Sequence, residues 1–175
     1  MTPVSNDDPG QTAGPTGIVS EVEAIQSPAL GAYLLWRMGA AFQATSPAAP
    51  GMDMHFLVLP LLFHGRTLAV ISSTNSASGL SKFVHKMLDT ESELIAMNAR
   101  AVALREMTLA SLSLGVDAGL LGIDYETARI YSLDTNRKPP VAEGVKKMER
   151  GAERLGLWFA QLPKEQVFSM LRVAY

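Results

Sequence analysis

The chain has 175 residues, enough to bury a core and in the size range of one domain. Hydrophobic residues make up 47% and charged residues 18%, with a formal net charge of −2, so no global electrostatic drive toward nucleic acid exists and only a local basic face remains open. Cysteine is absent, which excludes disulfides, thiol nucleophiles and cysteine-held metals and fits a reducing cytoplasm.

Residues 1–18 are rich in Pro, Gly, Ser, Thr and Asp, and their composition predicts a disordered tail. This start has neither a basic end nor an apolar run, so it does not read as a secretory signal. A single winged-helix-like domain is expected over 19–175. Its longest apolar run, Phe56 to Phe63, falls far short of the roughly 18 residues a membrane span needs. The expectation is a soluble cytoplasmic protein with no membrane contact.

Ser27-Pro28 marks a helix start, a hydroxyl cap followed by proline at the first helical position. Ala29, Tyr33, Trp36 and Ala40 then recur at helical spacing, with Leu30, Leu34, Met38 and Ala41 widening the apolar stripe. TSPAAPG (Thr45 to Gly51) ends that helix. Pro60 argues against a central strand in Phe56 to Phe63 and favours a short helix or a turn-broken segment. Ser72 to Ser78 is a polar loop leading into an amphipathic helix over Gly79 to Leu88.

A further helix is expected from Glu91 to about Arg105, its acidic first turn matching the helix dipole. Thr108 is expected to cap a short helix that Gly115 ends. Leu120 to Asp124 and Arg129 to Leu133 read as two strands of a hairpin turning at Tyr125, Glu126 and Thr127. Arg137-Lys138-Pro139-Pro140 is a linker, and two helices follow, Val141 to Leu162 and Pro163 to about Val173. The class is therefore mainly α with a small β-hairpin (α+β), a winged-helix-like core with additional helices.

No catalytic pattern emerges. His55, His64 and His85 lack any ligand spacing, and neither a G-x-G-x-x-G nor a P-loop sequence occurs. Ser111 and Ser113 lack the glycine of a nucleophile elbow. Glu149 and Glu153 alternate with Lys146, Arg150 and Arg154, the pattern of ion pairs along one exposed helix. No catalytic residue, cofactor or metal site is assigned.

Two basic groups are candidate contacts for DNA phosphates or an acidic partner. One comprises Arg137, Lys138, Lys146, Lys147 and Arg150, with Arg154 continuing the cluster; the other comprises Lys82 and Lys86 with His85 beside them. The alternative for both is an ordinary solvated helix face. Trp158 and Phe159, with Leu155 and Leu162, share a helical face, read first as core and second as an apolar interface.

In order along the chain, SPALGAYLLWRMGAAF, HFLVLPLLFH, SGLSKFV, TLASLSLGVDAGLLGID and AERLGLWFAQL…VFSMLRVAY resemble the middle component of bacterial three-component ABC systems. The likeness spans Glu21 to Tyr175 and rests on apolar patterns. It implies an accessory subunit without enzymatic activity, bridging an SMC-like ABC-type ATPase and an effector-bearing third component in anti-phage or anti-plasmid defence. By analogy with winged-helix subunits of condensin-like complexes it also implies a homodimer, and contact with DNA through the complex, without sequence specificity. The alternative is a stand-alone winged-helix DNA-binding regulator. That reading is weakened because the helix near Thr108 to Leu114 has almost none of the Arg, Lys, Asn or Gln that read base edges.

Overall fold

The computed structural model describes residues 27–88, 91–134 and 141–174. The expected tail and the candidates Arg137 and Lys138 lie outside the described residues. Within them the protein is mostly helical, with a single antiparallel hairpin. In chain order the helices are α1 (Pro28–Thr45), α2 (Met52–Leu62), α3 (Gly65–Ser73), a 3₁₀ turn (Ser76–Ser78), α4 (Gly79–Leu88), α5 (Glu91–Ala103) and α6 (Arg105–Asp117). The strands β1 (Leu121–Asp124) and β2 (Arg129–Ser132) come next, then α7 (Glu143–Ala160) and α8 (Lys164–Leu171).

Helix α1 is the axis of the fold. It begins where its sequence says it should: the Ser27 hydroxyl accepts from the Leu30 N–H and Pro28 occupies the first turn. Leu34, Leu35 and Met38 are buried, so α1 is covered on more than one side. Helix α7 lies along it in the same direction, because Tyr33 meets Glu149, Arg37 meets Glu149 and Glu153, and Met38 meets Gly156. Trp158 and Phe159 of α7 are fully buried, and the Trp158 indole N–H donates to the Ser76 carbonyl at 2.8 Å. Both aromatics are core, and the candidate apolar interface at these two residues is corrected: their area is already spent inside the molecule.

Helix α2 holds Pro60 in its last turn and buries Leu57 to Leu62. The favoured helix is what forms there, since proline near a helix end sacrifices one hydrogen bond and no strand ladder. Helix α3 has no counterpart in the sequence reading. Its cap is His64, whose Nδ1 accepts from the Thr67 N–H at 3.4 Å, and its chain turns about 100° from α2. Among the described residues no single helix is long and apolar enough to cross a membrane.

Thr108 is not a cap. It lies inside α6, its hydroxyl bonded back to the Leu104 carbonyl, and the break before α6 falls at Leu104. Gly115 is also interior. The end of α6 is a Schellman turn: Gly119, with φ +69°, takes the left-handed position, while the N–H of Leu120 bonds to Gly115 O and that of Gly119 to Val116 O. The hairpin then pairs Leu121 with Ser132 and Asp124 with Arg129. Asp124 organises the turn by accepting from the N–H groups of Glu126 and Thr127 and from the Thr127 hydroxyl.

Candidate interaction surfaces

The hairpin is fastened to α1. The Ser132 N–H donates to Gln43 Oε1 at 2.6 Å, the Ser132 hydroxyl to Trp36 O at 2.8 Å, and the Trp36 indole to Leu133 O at 2.9 Å. On its other side β2 bridges the chain near Gly51, where the Met52 N–H reaches Ala128 O and Ile130 N–H reaches Pro50 O. Period-2 alternation puts Leu121 and Ile130 inward. Tyr131 and Leu133 point outward, and Tyr125 at the tip is 83% exposed.

Helix α6 carries the second exposed apolar group. Leu109, Leu114 and Val116 are each more than a third exposed, and no charged residue stands between Glu106 and Asp117. A helix face of this kind, followed directly by an outward-facing Tyr131–Leu133 strand, has the composition of a protein contact. Sequence reading named neither group, although the absence of charge from Met107 to Val116 was the available signal.

A groove of about 860 Å³ opens on another side, lined by Phe42, Met52, Phe56, Val102, Arg129 and Phe168 among others. Lys164 Nζ and Asp53 Oδ2 pair there at 2.9 Å. Among the described residues no three His, Asp or Glu side chains gather as a metal would need. The histidines have separate structural positions: His55 is buried, His64 caps α3 and His85 is exposed.

The basic candidates are partly brought together. Lys86 Nζ donates to Ser73 O at 2.9 Å, and Arg154 Nη1 donates to Ile71 O and Ser72 O at 2.6 and 3.0 Å. Two cations from different helices thus cap the C-terminal end of α3, where the helix dipole favours positive charge. Lys146 pairs with Glu143, whereas Lys82, Lys147 and Arg150 are half-buried or exposed without a described carboxylate partner. Glu149 and Glu153 do not form the expected ion pairs along α7. Both are taken by Arg37 across the helix interface, and Glu149 also accepts from the Tyr33 hydroxyl at 2.7 Å. Burial and that hydrogen bond raise the Tyr33 pKa, so the phenol remains a donor at any physiological pH.

Residues 17–175 match the family model for the ABC-three component (ABC-3C) system Middle Component 3. The chain belongs to this family. It is a component of an ABC-three component system, as the resemblance implied, and its place among other components is consistent with an accessory role. No curated protein and no solved structure matches the chain.

Proposed function

We propose that this middle component is a non-catalytic bridging subunit, joining an SMC-like ABC-type ATPase to an effector-bearing third component in bacterial defence against phage or plasmids. The observation that supports it best is the exposed apolar group on the uncharged stretch of α6 between Glu106 and Asp117 (Leu109, Leu114, Val116), followed by Tyr131 and Leu133 on the hairpin. Burying such residues against a partner contributes about 25 cal/mol per Å² of apolar surface removed from water. The Schellman turn and the hydrogen bonds from β2 to α1 hold helix and hairpin in one rigid arrangement, so little ordering entropy opposes docking. The order α6, turn, hairpin is that of a winged helix, here serving as a protein-docking unit. The same reading places the protein in the cytoplasm and allows a second copy to share the face.

The stand-alone DNA-binding regulator has less support. Its recognition helix would be α6, whose stretch from Met107 to Val116 holds no Arg, Lys, Asn or Gln to read base edges.

Co-expression with the ABC-type ATPase and third component of its own system tests the proposal. The wild-type chain is expected to co-elute with the ATPase, and Leu109→Asp/Tyr131→Asp to elute alone with an unchanged melting temperature. A wild-type chain that never co-elutes, or a double variant that still does, overturns it.

A further inference from the structure

We infer that the face built by α3, α4 and α7 binds the phosphate backbone of duplex DNA, independently of whether the apolar face docks a protein. The chain's net charge of −2 conceals a strong segregation of sign. From Met54 to Leu88 there is no Asp or Glu, while Arg66, Lys82 and Lys86 all fall within that stretch. Helices α3 and α4 therefore present basic residues alone.

Helix α7 adds to this face because two of its three acids are turned toward α1, and the third, exposed Glu143, is paired within the helix. Glu149 and Glu153 are engaged by Arg37 of α1, and Glu143 by Lys146. On the side toward α3 stand Arg150 and Arg154, with Lys147 one turn earlier; Gly151 between them lies against Leu62 and Leu68. The convergence of Arg154 and Lys86 on the carbonyls of Ile71, Ser72 and Ser73 ties the two basic rows to one strip of surface. Between the rows lie the exposed residues Ser72 and Ser73, whose hydroxyls donate to the carbonyls of Leu68 and Val70, and the turn holding Ser76 and Ser78, so uncharged small residues separate the cations.

The composition of the face selects among anions. A protein partner needs an apolar anchor at the centre of its contact, yet among the described residues the exposed large hydrophobic ones are Val102 on α5, Leu109, Leu114 and Val116 on α6, and Tyr125, Tyr131 and Leu133 on the hairpin. A single strand needs exposed aromatic rings for base stacking, whereas Phe83 and Trp158 beneath this face are fully buried. Cations without either feature suit a double helix read through its backbone, without sequence preference.

The test uses the full chain and a fluorescent duplex DNA of arbitrary sequence, titrated by anisotropy across a range of salt concentrations. Binding at low salt is expected, with log K falling against log[salt] at a slope of about −3 to −4, as for about four neutralised phosphates. Lys147→Glu/Arg150→Glu and, separately, Lys82→Glu should each weaken binding at least tenfold and leave the melting curve intact. Arg105→Glu, at the start of α6, should leave both binding and the melting curve unchanged. The inference is overturned by a wild-type chain that ignores duplex DNA at about 50 mM salt. It is equally overturned if Arg105→Glu weakens binding as much as the reversals, if the reversals have no effect, or if polyglutamate or duplex RNA is bound in preference to DNA.

Discussion

Gly156 of α7 lies directly against the backbone of Met38 in α1: a methyl group at position 156 would sit 2.2 Å from the Met38 carbonyl oxygen and 3.0 Å from the Phe42 nitrogen. The obstacle is main chain at the centre of the longest helix pair, so no rotamer change relieves it. Overpacking of this kind costs about 1–3 kcal/mol, and a backbone obstacle puts Gly156→Ala at the upper end. Gly144, near the start of the same helix, has open space around it, and Gly144→Ala is expected to stabilise by up to about 1 kcal/mol. Urea unfolding of the two variants measures both; equal stability of Gly156→Ala and wild type would refute the close crossing.

A second prediction concerns the polar contact on the same helix pair. Arg37 Nε stands 3.2 Å from Glu149 without hydrogen-bond alignment, its Nη2 reaches Glu153, and its guanidinium lies 5.5 Å from the Trp36 ring centre. Arg37→Met would leave two neighbouring carboxylates facing each other with their cation gone. Tyr33→Phe removes only one hydrogen bond to Glu149, about 0.5–1.5 kcal/mol. Arg37→Met should therefore be the more damaging of the two in thermal melts. It should regain stability when combined with Glu149→Gln, a recovery that an unconnected surface arginine would not show.

What the sequence discloses follows the range of the forces involved. The start of α1 and the hairpin were legible because Ser27-Pro28 and the turn after Asp124 act over a few residues. Helix α3 was hidden because its cap is a histidine, which also serves many other purposes. The end of α6 was misplaced because two glycines compete, and only Gly119 has the positive φ that stops the helix. For the surfaces the difficulty is sequence distance. Glu149 and Glu153 look like partners for the lysines and arginines of α7, yet the cation they meet is more than a hundred residues away. The two basic groups were legible as separate candidates, but that they share one face depends on where Glu149 and Glu153 are engaged and on the meeting of Lys86 and Arg154 at the end of α3.

Trp158 provides a test of core against interface. Its ring lies against Phe83 at 5.8 Å between centres, and its N–H satisfies the Ser76 carbonyl in the turn before α4. Trp158→Ala should cost about 3–5 kcal/mol. Trp158→Phe retains much of the apolar volume but leaves Ser76 O without this donor, and should cost less while loosening the 3₁₀ turn. Amide exchange at Ser78, whose N–H bonds to Asn75 O within that turn, should accelerate in both variants. A fully stable Trp158→Ala protein would mean that the indole is not structural.

His55 makes stability depend on pH. It is fully buried on α2, its Nδ1 lies 3.1 Å from Gly51 O, and its Nε2 has no hydrogen-bond partner. The neutral ring with its proton on Nδ1 fits this site; a second proton on Nε2 would be buried without an acceptor. Burial accordingly lowers the pKa from 6.5 to about 4, and the Gly51 carbonyl opposes that shift only in part. Because the folded pKa is below the unfolded one, the contribution is complete above about pH 6.5 and is lost as pH falls toward 4, where the unfolded chain binds a proton that the folded protein refuses. The loss amounts to about 2–4 kcal/mol across that window. Asp124, held below the usual carboxyl value by the Thr127 hydroxyl and the turn N–H groups, is common to wild type and variant and cancels in the comparison. Between about pH 7 and pH 4.5 the urea midpoint of the wild type should fall relative to that of His55→Leu, because only the wild type loses the histidine contribution. Parallel curves would show that His55 is protonated to the same extent folded and unfolded.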